Sequence, residues 1–279
     1  MVTKPAKRPV KRRRAKPDPV KTWVKRLERT RPNLMNDTLT ALSTMYGRPT
    51  WGRVYDPTSE LILTMLSANS ADVGAEKAFN QLCRRYPAPG SELRTEAATP
   101  IFRTGWGGVG ISERVADWAA VEFADIGELT DVIRIGGLAN QKAPRIQAAL
   151  RHIREQRGDY SLEFLGGMTP PDALAWLTQV NGIGRKTASV VLLFSFGMPL
   201  MPVDRHIERV ATRIGLIPTK IANAEQMHDM LQYQLTADNV HEAHVNLITH
   251  GRQTCHAQRP EHERCAIADR CRFFNPGAP

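Results

Sequence analysis

Apolar positions along the chain recur at three- and four-residue steps, and no long alternating run rich in Val and Ile interrupts them. This pattern predicts an all-α fold. In "DPTSELILTMLSANSAD", Pro57 reads as a first-turn proline, followed by Leu61, Ile62, Met65 and Leu66 on one helical face. Asp72 is placed to cap a helix that buries Phe79, Leu82 and Cys83. Helical spacing resumes around "VADWAAVEF" and again after "GGLANQK", through about residue 157. Between these, "PAPGSELRTEAATPIFRTGWGGVGIS" (87–112) is rich in Gly and Pro and reads as a long loop or an insertion. The chain contains no internal repeat.

The most organised stretch is "TPPDALAWLTQVNGIGRKTASVVLLFSFGMP". Thr169 and Pro170 supply a cap and a first-turn proline, with Leu174, Leu177 and Val180 as the apolar stripe. Asn181 to Gly184 form the turn, and a second helix runs from Arg185 to about Phe196, stopping at Gly197. The pattern is a helix, a glycine hairpin and a helix. Gly182 and Gly184 are expected to take positive φ and leave their amides uncovered. Those amides sit beside a helix N-terminus, where dipole and unsatisfied donors favour an anion. Arg185 and Lys186 follow directly, and "PVDRHIERVATRIG" comes next.

Together, "VNGIGRKTASVVLLFSFGMPLMPVDRHIERV" resembles the helix-hairpin-helix and Gly/Pro-Asp loop of the endonuclease III branch of DNA glycosylases. The likeness extends to "LTMLSANSADVGAEKAF", "IRIGGLANQKAPRI" and "HVNLITHGRQTCHAQRPEHERCAIADRC", in order, over about residues 23–274. It implies two helical lobes flanking a DNA-binding cleft. A helical barrel would span 55–199, and a second lobe would join 21–54 to 200–279, after a basic tail over 1–20. It implies a base-excision-repair glycosylase with abasic-site lyase activity on oxidised pyrimidines, in which Lys186 forms a Schiff base assisted by Asp204. Other enzymes of this fold act through water with the aspartate alone, on alkylated or mismatched bases. A weakly catalytic binder of distorted DNA is a third alternative.

The resemblance makes chemical sense of Lys186. Only a neutral amine attacks a sugar carbon, whereas an ordinary lysine titrates near about 10.4. Burial, Arg185 and the helix N-terminus are expected to lower that value, and Asp204 to oppose them. Asp204 is suited to stabilise positive charge developing on the sugar. By the same resemblance, Asn69 fills the gap left by a flipped nucleotide and Leu138 intercalates nearby; on their own spacing, Asn69 also reads as a cap or turn residue and Leu138 as a core residue of the next helix. The family commonly has Gln where this chain has Asn69, a shorter reach. Gly182, Gly184, Arg185 and Arg205 complete the expected DNA contacts, with Arg259 and Arg264 as further candidates for phosphate.

Three of the four cysteines cluster as "CHAQRPEHERCAIADRC". The usual family cluster spacing is met only if His262 stands in the second ligand position, giving Cys255, His262, Cys265 and Cys271. A 4Fe–4S cluster with one histidine ligand fits this set; three Cys and one His also suit structural zinc, and loss of the metal is a third alternative. His256 is a rival ligand with a harder geometry. Cys83, on an apolar helix face, reads as an ordinary buried residue.

Composition narrows the setting. The net charge is +10, and residues 1–17 hold eight Lys and Arg and no acid. Such a Pro-containing arm is expected to be disordered and to bind polyanions through counterion release, without sequence preference. No apolar run reaches membrane-spanning length, and residues 1–17 lack the apolar stretch of a secretory signal. The expected setting is cytoplasmic and nucleoid-associated, with damaged duplex DNA as the partner of a monomer.

Overall fold

The computed structural model describes residues 17–70, 72–89, 115–221 and 223–277. The basic arm up to residue 16, and the Gly- and Pro-rich segment from 90 onward, lie outside the described residues. Twelve α-helices carry the described fold: α1 (Pro19–Thr30), α2 (Leu34–Tyr46), α3 (Pro57–Ser67), α4 (Asp72–Arg85), α5 (Trp118–Phe123), α6 (Ile126–Val132), α7 (Ala139–Arg157), α8 (Pro170–Thr178), α9 (Arg185–Phe196), α10 (Arg205–Ile214), α11 (Ala224–Gln232) and α12 (Val240–Gln253). An isolated antiparallel bridge between Pro87 and Ala116 is the sole β pairing among the described residues. Around it, the Ala88 N–H donates to the Val115 carbonyl and the Asp117 N–H to the Tyr86 carbonyl, each at 2.8 Å. Residues 86–88 and 115–117 are thereby held side by side.

Local chemistry explains the element boundaries. Asp56 caps α3, accepting the Thr58 and Ser59 N–H groups at 3.0 Å, with Pro57 in the first turn. Asp72 begins α4 itself rather than preceding it. Thr169 caps α8 through the Asp172 N–H, and α9 ends where Gly197 takes φ 67°. The expectation of a one-faced α3 understates its environment, because every residue of that helix is buried. It packs against α4, α7 and α9. Its polar side chains are satisfied locally: Thr58 Oγ1 donates to the Tyr160 carbonyl at 2.6 Å, and Ser67 Oγ to the Thr64 carbonyl at 2.9 Å.

Two hydrophobic clusters fill the interior. One gathers Leu66, Phe79, Leu82, Ile146, Leu150 and Val191; the other gathers Leu27, Leu42, Leu193, Ile207, Val210 and Leu247. Helix α9 feeds both, with Leu192 in the first and Leu193 in the second. Each such leucine contributes about 1.5–3 kcal/mol by burial. Helix α9, which carries Lys186 in its first turn, is thus packed into both clusters.

Candidate active site

The hairpin between α8 and α9 is anchored by Ile183, which is buried, while Gly182 and Gly184 remain exposed. Gly182 takes φ 86°, as expected, but Gly184 does not. It is the N-cap of α9 with φ −89° and ψ 173°, extended backbone open to any residue. Its requirement is space: a Cβ there would meet nothing within 4 Å, so the approach to the helix start is open. No side chain caps α9. Its first-turn amides are therefore free of side-chain competition for an anion.

Arg185, an expected DNA contact, is engaged within the protein. Its guanidinium turns onto α11, donating to Glu225 Oε2 at 2.9 Å and Asp229 Oδ1 at 2.6 Å. The side chain is only 19% exposed. Two carboxylates thus engage it in the absence of DNA. Arg205, the first residue of α10, is exposed as a DNA contact requires.

Lys186 lies half-buried in the first turn of α9, and Asp204 caps α10 by accepting the Ile207 N–H at 2.8 Å. Both charges act on His244, a buried residue of α12. Burial pushes the His244 imidazole down to about 4, while Asp204 pulls it up and Lys186 down. The neutral ring donates from Nδ1 to the Pro202 carbonyl at 3.2 Å, in the loop that leads to Asp204, and it packs edge-on against Phe194 of α9. One ring thus braces the segments that carry both charged groups.

A second group of residues lines a cleft beside the hairpin: Asn69, Leu138, Gln141, Arg145, Gly182 and Thr187. Asn69 follows α3 and Leu138 caps α7; both are exposed, and both take φ 53°. A non-glycine residue in this region costs roughly 1–2 kcal/mol, more for Leu than for Asn. Leu138 is 46% exposed, so it is not a core residue of α7. The Arg145 stem lies 3.7 Å from the point where a Gly182 Cβ would stand.

The C-terminal cysteines are arranged by arginines. Arg209 donates to the Cys255 carbonyl at 3.0 Å and to the Gly251 carbonyl at 2.6 Å; Arg213 donates to the His256 and Ala257 carbonyls at 2.6 and 2.9 Å. Cys255, His262, Cys265 and Cys271 line one cavity. Nitrogens face two of the sulfurs: Arg213 Nη1 donates to Cys255 Sγ at 3.2 Å, and His250 Nε2 lies 3.6 Å from Cys265 Sγ. The His262 ring stacks on Phe274, with centroids 4.2 Å apart. No set of three or more His, Cys, Asp or Glu side chains among the described residues is arranged to hold a single metal ion. His256 is not in the cavity lining and instead meets Glu261 at 3.3 Å. Arg264 is paired with the same Glu261 at 2.7 Å, whereas Arg259 is exposed. Cys83 is fully buried, as expected.

His244 and Lys142 escaped the sequence reading. Each left a signal: Lys142 shares three- and four-residue spacing with the buried Ala139, Ile146 and Ala149, and His244 with Val240, Leu247 and Ile248. A polar residue on an inward stripe needs partners.

The comparisons agree with this geometry. A model of the HhH-GPD superfamily of base excision DNA repair proteins matches residues 62–233. Endonuclease III of Escherichia coli K12 is 35% identical over 217 residues, 78% of this chain and 84% of the relative. Endonuclease III of Sulfolobus acidocaldarius is 28% identical over 226 residues, covering 80% and 85%. Among solved structures, a trapped endonuclease III–DNA covalent intermediate superposes with a TM-score of 0.65 at 25% identity, over 87% of this chain and 96% of that one.

Proposed function

The chain belongs to the HhH-GPD superfamily of base excision DNA repair proteins, as a DNA glycosylase of the endonuclease III type, and from that premise we propose that it is a bifunctional glycosylase and abasic-site lyase for oxidised pyrimidines in duplex DNA. The observation that supports the reading is the buried His244, whose ring packs on Phe194 of the helix that carries Lys186 and donates to the Pro202 carbonyl in the loop that leads to Asp204. The neutral Lys186 amine attacks C1′ as the bond to the base breaks, and the base leaves with the electron pair and gains a proton. Loss of a proton from the nitrogen and opening of the sugar ring give the imine. Removal of a C2′ proton then expels the 3′ phosphate. Asp204 faces the positive charge that develops on the sugar during the first step. Amides of the hairpin and of the α9 N-terminus hold the backbone phosphate, while Asn69 and Leu138 occupy the space of the displaced nucleotide.

Borohydride trapping tests the mechanism. The wild type is expected to give a covalent adduct on an abasic duplex and on one carrying thymine glycol, and Lys186→Gln to give none on either. Base release without any adduct would replace this reading with a water-based, monofunctional one.

Cys255, His262, Cys265 and Cys271 are the residues that would hold a 4Fe–4S cluster, which when bound stiffens the C-terminal loop against DNA and takes no part in breaking bonds. Ligand side chains that ring a cavity, with the Arg213 guanidinium donating to one sulfur, suit a multi-atom thiolate group better than one zinc ion. Iron and sulfide analysis of purified wild type beside His262→Ala checks the ligand set.

A further inference from the structure

The two DNA-facing tips carry Asn69 and Leu138, and a third residue, Lys142, ties the segments together. Its Nζ donates to the Leu66 carbonyl at the end of α3, to Ser70 Oγ at 2.7 Å and to the Gly136 carbonyl at 3.1 Å. An ammonium has three protons and no acceptor, and here each proton has a separate oxygen. The residue is 5% exposed. Leu66 and Ser70 flank the tip at Asn69; Gly136 sits two residues before Leu138. The Ser70 hydroxyl also abuts Gly137, 3.2 Å from where a Cβ would stand. Gly136 fits tightly onto α4, where a Cβ would meet Ala78 at 2.9 Å. The loop bearing Leu138 is therefore seated on one side by α4 and drawn from the other by Lys142.

We propose that Lys142 is a positioning residue: its ammonium crosslinks the Asn69 and Leu138 loops and sets the separation at which the two side chains enter DNA. The proposal rests on the functional reading above. A buried lysine carries a substantial desolvation penalty, which here lowers its pKa to about 8. A methionine of similar volume would pack the same space without that penalty. What the ammonium adds is directional: three charge-assisted bonds to two loops whose tips hold strained backbone. The crosslink acts before chemistry, in the step that extrudes the nucleotide, so its effect depends on whether the lesion is paired.

The test compares excision of one lesion in a fully paired duplex and in a bubble of unpaired bases, where extrusion costs little. Lys142→Met is expected to slow excision by about tenfold or more on the paired duplex and by less than about threefold in the bubble. Ser70→Ala, which removes one of three acceptors, is expected to follow with a smaller but equally paired-selective loss. It keeps the proposal testable if Lys142→Met does not fold, with melting curves reporting that separately. Equal loss on both substrates, or no loss on the paired duplex, overturns the positioning role. If the wild type excises no base at all, the functional reading fails. The crosslink is then judged by binding alone: Ser70→Ala and Lys142→Met should reduce the preference for an abasic-analogue duplex over an intact one, and unchanged preference overturns it.

Discussion

Asn69 and Leu138, 69 residues apart in sequence, line the same cleft with the same left-handed backbone, φ 53° at each. Neither is glycine, and Leu pays more for this conformation than Asn. Retaining a strained, exposed leucine makes physical sense only if its side chain has work outside the fold. Leu138→Gly is expected to raise the melting free energy or leave it unchanged, within about 1 kcal/mol, because the backbone strain is relieved. Excision from a paired duplex is expected to fall by roughly tenfold, since the intercalating side chain is gone. A stability scan beside a single-turnover assay would show the two properties moving apart; a variant both stable and fully active would remove Leu138 from the DNA-facing set.

Asp204 has two tasks that substitution separates. It caps α10 through the Ile207 N–H, and its charge acts on His244. Asn retains a capping oxygen but no charge, whereas Ala loses both. Asp204→Asn should therefore melt close to wild type while losing about 100- to 1,000-fold in rate. Asp204→Ala should lose the same rate and about 1 kcal/mol of stability in addition. If the Asn variant kept near-full activity, the charge would have no role in base release.

Arg185 tests the distinction between a DNA contact and a structural ion pair. Tied to Glu225 and Asp229, it joins the start of α9 to α11. Arg185→Met should lower stability by roughly 1 kcal/mol, with the loss shrinking at high salt. The slope of DNA affinity against salt should stay the same. A true phosphate contact would lower that slope by about 1.

Much of this arrangement was legible in sequence. The boundaries of α9, the caps at Thr169 and Gly197, and the buried faces around Phe79 and Leu82 follow from spacing and backbone chemistry acting within a few residues. What was illegible depends on distant partners. Arg185 read as a phosphate ligand because Glu225 and Asp229 come some 40 residues later. Gly184 read as a positive-φ position because openness to an incoming backbone leaves the same residue preference as a turn. Lys142 and His244 sit on inward helical stripes, and their partners (Leu66, Ser70 and Gly136 for one, Pro202 for the other) are fixed by tertiary packing alone.

His244 gives the molecule an acid limit. Its imidazole is held neutral by burial, down to about 4 against an ordinary 6.5, and Asp204, Lys186 and His241 are the charged or titratable groups acting on it. His228, also buried, is lowered in the same direction by desolvation. In the unfolded chain both rings take a proton near their ordinary value. The unfolded state therefore binds more protons below about 6.5, and stability falls as pH drops from there towards 4. The His244 contribution is fully present above about 6.5 and is lost as pH falls towards 4. His244→Asn can still donate to the Pro202 carbonyl from its side-chain amide but does not titrate. Its melting temperature should be lower than wild type at pH 7.5, where a well-packed ring is lost, and should fall less steeply with acid. Parallel slopes for the two proteins between pH 6.5 and 4.5 would show that His244 is protonated as readily in the fold as out of it.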